Sequence, residues 1–437
     1  MNKLPLDGIR IVELTAIYAG PYASMILADW GAEIIRVETI QGMIGSTRGQ
    51  YARVPQDLVD QAKASGSGQG AVFPDWDPGP RPWNRAASFT STGRNKLSMT
   101  VDLLRPEGRD ILGRLLKTAD VFIENNVPET IDKLQISYDW LKELNPEIIM
   151  IRMPAFGLTG PYTNFRCLGL HVDGVSGHTY TKGYVDEEIS RRGDTVAPDA
   201  AAGASSAFAT FAALWHRKKT GKGQMIELTL AENFIPFMAE HIIDYTMNGR
   251  VRGSIGNRDY HMAPHGVYPC LGNDHWMTIA VSSDQEWQSL CKVMGTPELA
   301  KDPRFANLPS RQNNQDELDS IISNWTRQQN HLEVFHELQE NGVAAGPVLD
   351  ELEVLKDPHL VDRNYYEPLD HPEMPTLRYH GPLWRMSKTP NNLRTPPPLL
   401  GEHNPYVYKE VIGVSENEYL RLEDDGHIGM DVIEEEI

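Results

Sequence analysis

Candidate catalytic side chains are scattered along the chain, and none stands in a spacing that specifies one chemistry. Four histidines could act as bases or metal ligands, but no pair forms an H-E-x-x-H or comparable motif, which favours structural or surface roles. These are His171, His178, His261 and His265. Ser205 and Ser206 lack the G-x-S-x-G pattern of a hydrolase nucleophile. No metal site is predicted.

The charge balance excludes one class of partner. The chain has 437 residues, and 60 acidic against 41 basic side chains give a formal charge of −19. Nucleic acid is not an expected partner, because binding to a phosphate backbone requires a basic face. A single phosphate-bearing cofactor remains compatible with this charge, since it needs only a local group of donors.

Cysteine usage and hydropathy indicate an intracellular protein. Cys167, Cys270 and Cys291 are widely spaced and form no C-x-x-C pair, so neither a disulfide framework nor a zinc site is indicated. No apolar stretch reaches the ~20 residues of a membrane-spanning helix. The first residues lack the basic and apolar regions of a signal peptide. We therefore predict a cytoplasmic protein with no membrane partner.

The first forty residues predict a βαβ unit. Residues 9–14 and 34–38 are rich in β-branched side chains, and the helical stretch 22–30 between them follows a Gly20-Pro21 turn. A ligand is expected at the carboxyl end of the first strand, beside this turn. The G-x-G-x-x-G fingerprint of dinucleotide binding is absent.

The same alternation continues and predicts a doubly wound, Rossmann-like parallel sheet. Further strands are predicted at 97–102, 121–124, 148–153 and 225–230, and helices at 109–118, 138–144 and 200–215. The expected domains are a large α/β domain from residues 1–230, a smaller α+β domain from 231–344, and a return of 345–437 to the large domain.

A series of short motifs runs through the chain in a fixed order. Together they resemble family III CoA-transferases (the CaiB/BaiF type), the group that includes formyl-CoA, carnitine and benzylsuccinate CoA-transferases and the α-methylacyl-CoA racemases. The motifs are Leu6–Glu13, Ala19–Pro21, Ala28–Glu38, Arg94–Lys96, Asp120–Asn125, Phe156–Pro161, Thr220–Gln224, Gly256–Arg258, Ala263–Cys270, Gly346–Val348 and Leu400–His403. The resemblance implies an enzyme that moves coenzyme A from an acyl-CoA donor to a carboxylic acid acceptor, with no tightly bound cofactor.

The resemblance also implies a nucleophile. Taken alone, Asp186-Glu187-Glu188 indicates only a solvated turn. In the transferases, however, the catalytic aspartate lies in a loop reading roughly T-x-G-[FY]-x-D after a Ser-Gly pair, and here Ser176-Gly177 precedes Thr181–Asp186. Asp186 is therefore the predicted nucleophile. An aspartate carboxylate is ionised at neutral pH and needs no base to attack a thioester.

The family further implies that CoA lies along the first βα turn. The predicted contacts are Tyr18, Ala19, Asn125 and Asn126, with Arg94 and Lys133 as phosphate partners. Some members carry a basic residue directly after the second strand, where this chain has Thr39. The resemblance also implies two chains interlocked as a dimer.

Three functional alternatives follow from these motifs. The leading one is a CoA-transferase that activates an aromatic or dicarboxylic acid with succinyl-CoA as the donor. The bulky acid is suggested by Phe73, Trp76 and Trp83, although these rings could equally pack the loop. The second is a catalytically silent subunit of a heteromeric transferase. The third is a racemase or epimerase, which needs a His-Asp pair where this chain has Leu168-Gly169, although Asp199 is present.

Overall fold

The β-branched segments of the chain form one six-stranded parallel sheet in the computed structural model, which describes residues 3–42, 45–66, 68, 72–193 and 196–433. Its strands are β1 (Arg10–Leu14), β2 (Glu33–Glu38), β3 (Lys96–Thr100), β4 (Val121–Glu124), β5 (Ile149–Arg152) and β6 (Met225–Glu227). Their order is β3-β2-β1-β4-β5-β6, and each neighbouring pair is parallel. The direction of winding reverses between β1 and β4, the point at which α/β sheets bind ligands.

The larger of two compact units contains this sheet and comprises residues 1–177, 194–242 and 365–437. Its helices are α1 (Ala19–Asp29), α2 (Gly45–Arg48), α3 (Gln56–Ser65), α4 (Ala87–Thr90), α5 (Pro106–Leu116), α6 (Pro128–Lys133), α7 (Tyr138–Leu144) and α8 (Gly169–Val175). The smaller unit, residues 178–193 and 243–364, begins with α9 (His178–Thr181). The larger unit continues with α10 (Ala197–Thr220) and α11 (Leu230–Phe234), and α12 (Ala239–Asn248) follows.

Both faces of the parallel sheet are covered, as a doubly wound fold requires. Ile11 and Val12 are adjacent in β1, and each belongs to a different buried apolar cluster. The Ile11 cluster includes side chains of α1 and α10, whereas the Val12 cluster includes side chains of α5, α7 and a C-terminal helix. The predicted parallel α/β sheet is therefore confirmed.

The smaller unit has its own antiparallel sheet and core. The strands β7 (His265–Pro269), β8 (Trp276–Ala280) and β9 (Ala344–Val348) pair in chain order, and Met277, Trp287 and Leu338 lie in its buried cluster. The helices are α13 (Asp284–Val293), α14 (Leu308–Asn313), α15 (Gln315–Thr326), α16 (His331–Glu340), α17 (Glu351–Lys356) and α18 (Pro358–Asp362).

The C-terminal segment returns to the larger unit. It forms the hairpin β10 (Tyr366–His371) and β11 (Met374–His380), a π-helical turn at Tyr406–Val411 and α19 (Glu416–Asp424). Asn404 accepts a hydrogen bond from the Thr100 backbone N–H at 2.8 Å, which fastens this return to the end of β3. Among the described residues, no helix combines the length and apolar character needed to span a bilayer.

Candidate active site

The Asp186 side chain lies in an exposed loop between α9 and a 3-10 turn at Ile189–Arg191. Within the described part of the chain, its carboxylate takes part in no hydrogen bond or ion pair. The neighbouring carboxylates differ, because Glu187 accepts a hydrogen bond from the Tyr184 backbone N–H at 3.3 Å and Glu188 accepts one from the Ser190 hydroxyl at 3.3 Å. Within the described chain, Asp186 is therefore the carboxylate of the acidic tripeptide that accepts no local hydrogen bond.

A single arginine braces this loop from within. Arg192 donates hydrogen bonds to the carbonyl oxygens of Thr179, at 3.0 Å, and Tyr180, at 2.8 Å. Gly183 has a φ of +91°, and a Cβ atom there would lie 2.8 Å from Arg192 Nε. The glycine is thus required both by the backbone conformation and by the space that the guanidinium occupies.

The loop is also fastened to the turn that contains Gly256. The Gly256 backbone N–H donates to the Gly183 carbonyl at 3.2 Å, and Asn257 Nδ2 donates to the Tyr184 hydroxyl at 2.7 Å. A Cβ atom on Gly256 would come within 3.0 Å of the Tyr184 ring. These contacts lie within the smaller unit and fix the segment that carries Asp186.

A cavity of about 420 Å³ opens beside Asp186 within the smaller unit. Its lining includes one arginine, Arg258, which forms ion pairs with Asp316 and, at 3.3 Å, with Asp319. Tyr268 donates a hydrogen bond to Asp319 at 2.9 Å, and burial raises the pKa of both Tyr268 and Asp319. Tyr268 is therefore a neutral hydrogen-bond donor at physiological pH.

The predicted CoA contacts Tyr18, Ala19, Asn125 and Asn126 lie where β1 and β4 end. The Asn125 amide donates to the carbonyl oxygen of Ala16 and accepts from its N–H, both at 2.8 Å. Asn126 Nδ2 donates to the Leu14 carbonyl at 2.8 Å. Both amides therefore hold the loop that follows β1. The half-buried Tyr18 ring stacks on Tyr22 with 5.3 Å between ring centroids, and Ala19 begins α1.

The two predicted phosphate partners have contrasting surroundings. Arg94 is fully buried, and its guanidinium donates to both carboxylate oxygens of Asp29, at 3.1 and 2.8 Å. Its Nη1 and Nη2 atoms also lie 3.3 Å from the ring nitrogens of His380. Lys133 is exposed on α6 and pairs with Glu129 one turn earlier, at 2.9 Å. Only Lys133 of these two presents its charge to solvent.

Buried charges connect the first three strands in a pairing that the sequence does not predict. Glu13 Oε1 lies 3.1 Å from both Arg36 Nη1 and Lys96 Nζ, and all three side chains are buried. Burial lowers the pKa of Lys96 to about 8. Burial alone would raise the pKa of Glu13, but Lys96 and Arg36 more than offset it, so its pKa is lowered. These residues belong to motifs quoted above, and their role here is to hold the strands in register.

A second cavity, of about 320 Å³, lies at the carboxyl ends of β1, β2 and β3. Leu14, Val37, Val101 and Leu103 give it an apolar wall, and Thr39 contributes to its lining. Arg94 is not among the described residues that line this cavity.

The racemase pattern is not met at its first pair of positions. Leu168 is exposed, and Gly169 begins α8. A Cβ atom on Gly169 would lie 2.1 Å from Oδ2 of the buried Asp199, so the observed packing leaves no room for a side chain there. The His-Asp pair of the racemases is therefore absent from positions 168 and 169.

Comparison with known proteins decides the family. The model of CoA-transferase family III matches residues 6–404. The chain belongs to this family. The family III resemblance inferred from the motifs is thereby confirmed, as is the assignment of the chain as a CoA-transferase.

Curated relatives of this family III chain span nearly its full length. It is 31% identical over 419 residues to succinyl-CoA–D-citramalate CoA-transferase of Chloroflexus aurantiacus, covering 96% of this chain and 97% of that protein. It is 32% identical to succinate–glutarate CoA-transferase of Agrobacterium fabrum, covering 94% and 96% respectively. A solved structure of a CaiB/BaiF family protein from Brucella suis matches with a TM-score of 0.78 and 29% identity, over 94% of this chain and 100% of that one.

Proposed function

We propose that this enzyme transfers coenzyme A from succinyl-CoA to a second carboxylic acid through a covalent thioester on Asp186. The observation that carries the proposal is the position of the Asp186 carboxylate, which is exposed beside a 420 Å³ cavity on a loop that Arg192 braces. Such a group can attack a carbonyl carbon without first losing another partner.

The reaction is a sequence of acyl exchanges in which each bond formed replaces one broken. An Asp186 carboxylate oxygen attacks the donor thioester, the C–S bond breaks, and CoA leaves as a thiolate with a mixed anhydride on Asp186. The thiolate then attacks the aspartyl carbonyl, which releases the donor acid and gives an aspartyl-CoA thioester. The acceptor carboxylate repeats these steps in reverse. Because each intermediate is prone to hydrolysis, water must be excluded, and a loop that contains Gly253 or Gly256 is proposed to cover the site.

The acceptor is proposed to be a dicarboxylic acid. Two relatives at 31% and 32% identity are named for succinyl-CoA or succinate together with D-citramalate or glutarate. Arg258 lines the cavity beside Asp186, and it would bind a second carboxylate by exchanging its ion pairs with Asp316 and Asp319 for the substrate. The aromatic alternative is weaker, since Phe73 and Trp83 are 8% and 5% exposed and pack within the protein.

We propose that the CoA nucleotide lies at the carboxyl edge of the parallel sheet, near Tyr18, Ala19, Asn125 and Asn126. The apolar 320 Å³ cavity that includes Thr39 suits its base. Lys133 is the proposed phosphate partner with an accessible charge, whereas Arg94 acts on the phosphate only if it leaves Asp29.

The experiment is to mix the protein with a panel of acyl-CoA thioesters, quench with borohydride or hydroxylamine, and map the modified peptide by mass spectrometry. We expect modification at Asp186 with succinyl-CoA and none in Asp186→Ala. Glu187→Gln and Glu188→Gln are matched controls that should still be modified. A protein that binds CoA but shows no adduct with any donor would contradict the assignment.

A second candidate is the silent partner of a heteromeric transferase. The chain is 27% identical to the beta subunit and 26% identical to the alpha subunit of succinyl-CoA–L-malate CoA-transferase of Chloroflexus aurantiacus. Transfer by the purified chain alone would reject this candidate. Activity that appears only with a second homologous chain would support it.

A further inference from the structure

Three side chains with metal-binding atoms meet in the smaller unit, and none of them lines the cavity beside Asp186. His275, His331 and Glu353 each offer one ligand atom, and these atoms lie within 4.8 Å of one another. They come from the turn before β8, the first residue of α16 and the helix α17. No other group of this kind occurs within the described ranges.

The His331–Glu353 side of the cluster is buried and already ordered. His331 is 2% exposed, and its Nε2 atom lies 3.0 Å from Glu353 Oε1. The other carboxylate oxygen, Oε2, accepts a hydrogen bond from the Asp350 backbone N–H at 3.2 Å. This bond directs Oε1 towards the imidazole. The Nδ1 atom of His331 is buried without a hydrogen-bond partner in the described structure.

The turn that precedes β8 sets the position of the His275 ring. The His275 ring lies beside the His331 ring with 4.4 Å between centroids, and its Nδ1 atom is 3.1 Å from the Leu271 carbonyl oxygen. Metal-binding histidines commonly donate their second N–H to a backbone carbonyl in this way, which leaves Nε2 for the ion. Gly272 has a φ of +115°, and a Cβ atom there would lie 2.6 Å from His275 Nδ1. The glycine therefore provides the space for this ring.

The turn is also tied to the start of α16. The Leu271 backbone N–H donates to the Gln329 carbonyl at 2.9 Å, two residues before His331. Two of the three ligands are thus held by backbone contacts that do not depend on a metal ion. Such prior ordering lowers the entropy lost on binding.

We propose that His275, His331 and Glu353 bind a divalent transition-metal ion, with Zn²⁺ the best match. Two imidazole nitrogens and one carboxylate oxygen are a donor set typical of zinc, and a water would complete a tetrahedral site. Mg²⁺ and Ca²⁺ are disfavoured because they require mostly oxygen ligands. Bound ligand atoms would stand about 3.4 Å apart at the usual ligand distances of about 2.1 Å. The half-exposed His275 can supply this small contraction.

The ion would join three elements of the smaller unit that are distant in sequence. His275 and Glu353 are 78 positions apart by their numbers in the chain. The proposed metal site is not part of the proposed thioester chemistry of Asp186. A negative result for one proposal therefore leaves the other unaffected.

The test uses the full-length chain, freed of any histidine tag and stripped with a chelator. Zn²⁺ is titrated in competition with a chromophoric chelator, and Co²⁺ absorption reports the coordination geometry. We expect one Zn²⁺ per chain, a higher unfolding midpoint with Zn²⁺ than with Mg²⁺, and tetrahedral Co²⁺ bands.

The variants are His275→Ala and Glu353→Gln, which spare the fully buried His331. Each should weaken Zn²⁺ binding at least about 100-fold, beyond the roughly 10- to 100-fold typical of outer-shell changes. His336→Ala is the matched control, since His336 is an exposed histidine of the same helix α16. Binding that is unchanged in either variant, equally lost in His336→Ala, or absent from the wild-type chain would overturn the proposal.

Discussion

At the scale of single residues, the hydrogen-bond partners distinguish Asp186 from its acidic neighbours. Glu187 and Glu188 accept local hydrogen bonds, and Asp186 has none within the described chain. The family resemblance predicts Asp186 as the nucleophile because the T-x-G-[FY]-x-D spacing ends on it. The pattern cannot show why the loop holds its shape, since the bracing Arg192 lies six positions later and belongs to no motif.

Substitution of Arg94 can distinguish a role in stabilising the fold from a role in binding the CoA phosphate. Its guanidinium pairs with Asp29, and the two side chains are 0% and 2% exposed. Removing one partner of a buried ion pair leaves an uncompensated charge, so Arg94→Ala should destabilise the fold by about 3–5 kcal/mol in chemical unfolding.

The companion variants are Asp29→Asn and Lys133→Ala. Asp29→Asn should also lower the free energy of unfolding, because it leaves Arg94 buried and unpaired. Lys133→Ala should leave stability unchanged, since the ion pair that it removes is exposed, and should raise KM for the acyl-CoA. An Arg94→Ala enzyme with normal stability and a raised KM would show instead that Arg94 contacts the CoA phosphate.

Some contacts could not be predicted from the sequence, and they share a physical reason. Arg36 and Lys96 meet at Glu13 because β1, β2 and β3 are neighbours, and strand order cannot be read from local sequence. The same holds for His275, His331 and Glu353, whose spacing matches no metal-binding motif. Contacts between distant segments depend on the completed fold.

At the scale of elements, the loop of residues 178–193 should depend on Arg192. Arg192→Ala removes the hydrogen bonds to the Thr179 and Tyr180 carbonyls, so the Asp186 carboxylate would be less precisely positioned. We expect kcat to fall about tenfold or more with little change in KM for the acyl-CoA, because misplacing a reacting group by about 1 Å can cost about 100-fold. Steady-state kinetics measure both constants.

Arg191→Ala is the matched control for this prediction. Arg191 is exposed on the same 3-10 turn, and its side chain makes no hydrogen bond or ion pair among the described residues. Its removal should leave kcat unchanged. If the two variants behave alike, or if Arg192→Ala unfolds the protein at assay temperature, the bracing role is contradicted.

Local sequence predicts the existence of elements better than their ends. The helix at 138–144 was predicted with the bounds observed for α7, and the helix at 200–215 is the longer α10, Ala197–Thr220. The longer helix runs on through charged residues and ends at Gly221, whose φ is +68°. The predicted strand at 225–230 is shorter, since β6 stops at Glu227 and α11 begins at Leu230.

At the scale of the whole molecule, large apolar side chains remain on the surface of the single chain. In the larger unit these include Phe208 and Trp215 on α10 and Phe237 before α12. Phe208 is 76% exposed. Clusters of exposed apolar side chains mark protein–protein contacts. We propose that a second copy of the chain covers them, in the interlocked dimer that the family resemblance implies.

Interlocked chains differ from a side-by-side dimer in one measurable property, because they cannot exchange subunits unless one chain opens. Tagged and untagged proteins mixed under native conditions should form no mixed dimer over days, whereas the same proteins unfolded and refolded together should form mixed dimers. Native mass spectrometry distinguishes the species. Phe208→Glu should reduce the refolded yield of dimer, and Val361→Glu, an exposed apolar position on α18, should not. Exchange within minutes under native conditions, or a monomer by light scattering, would contradict the interlocked arrangement.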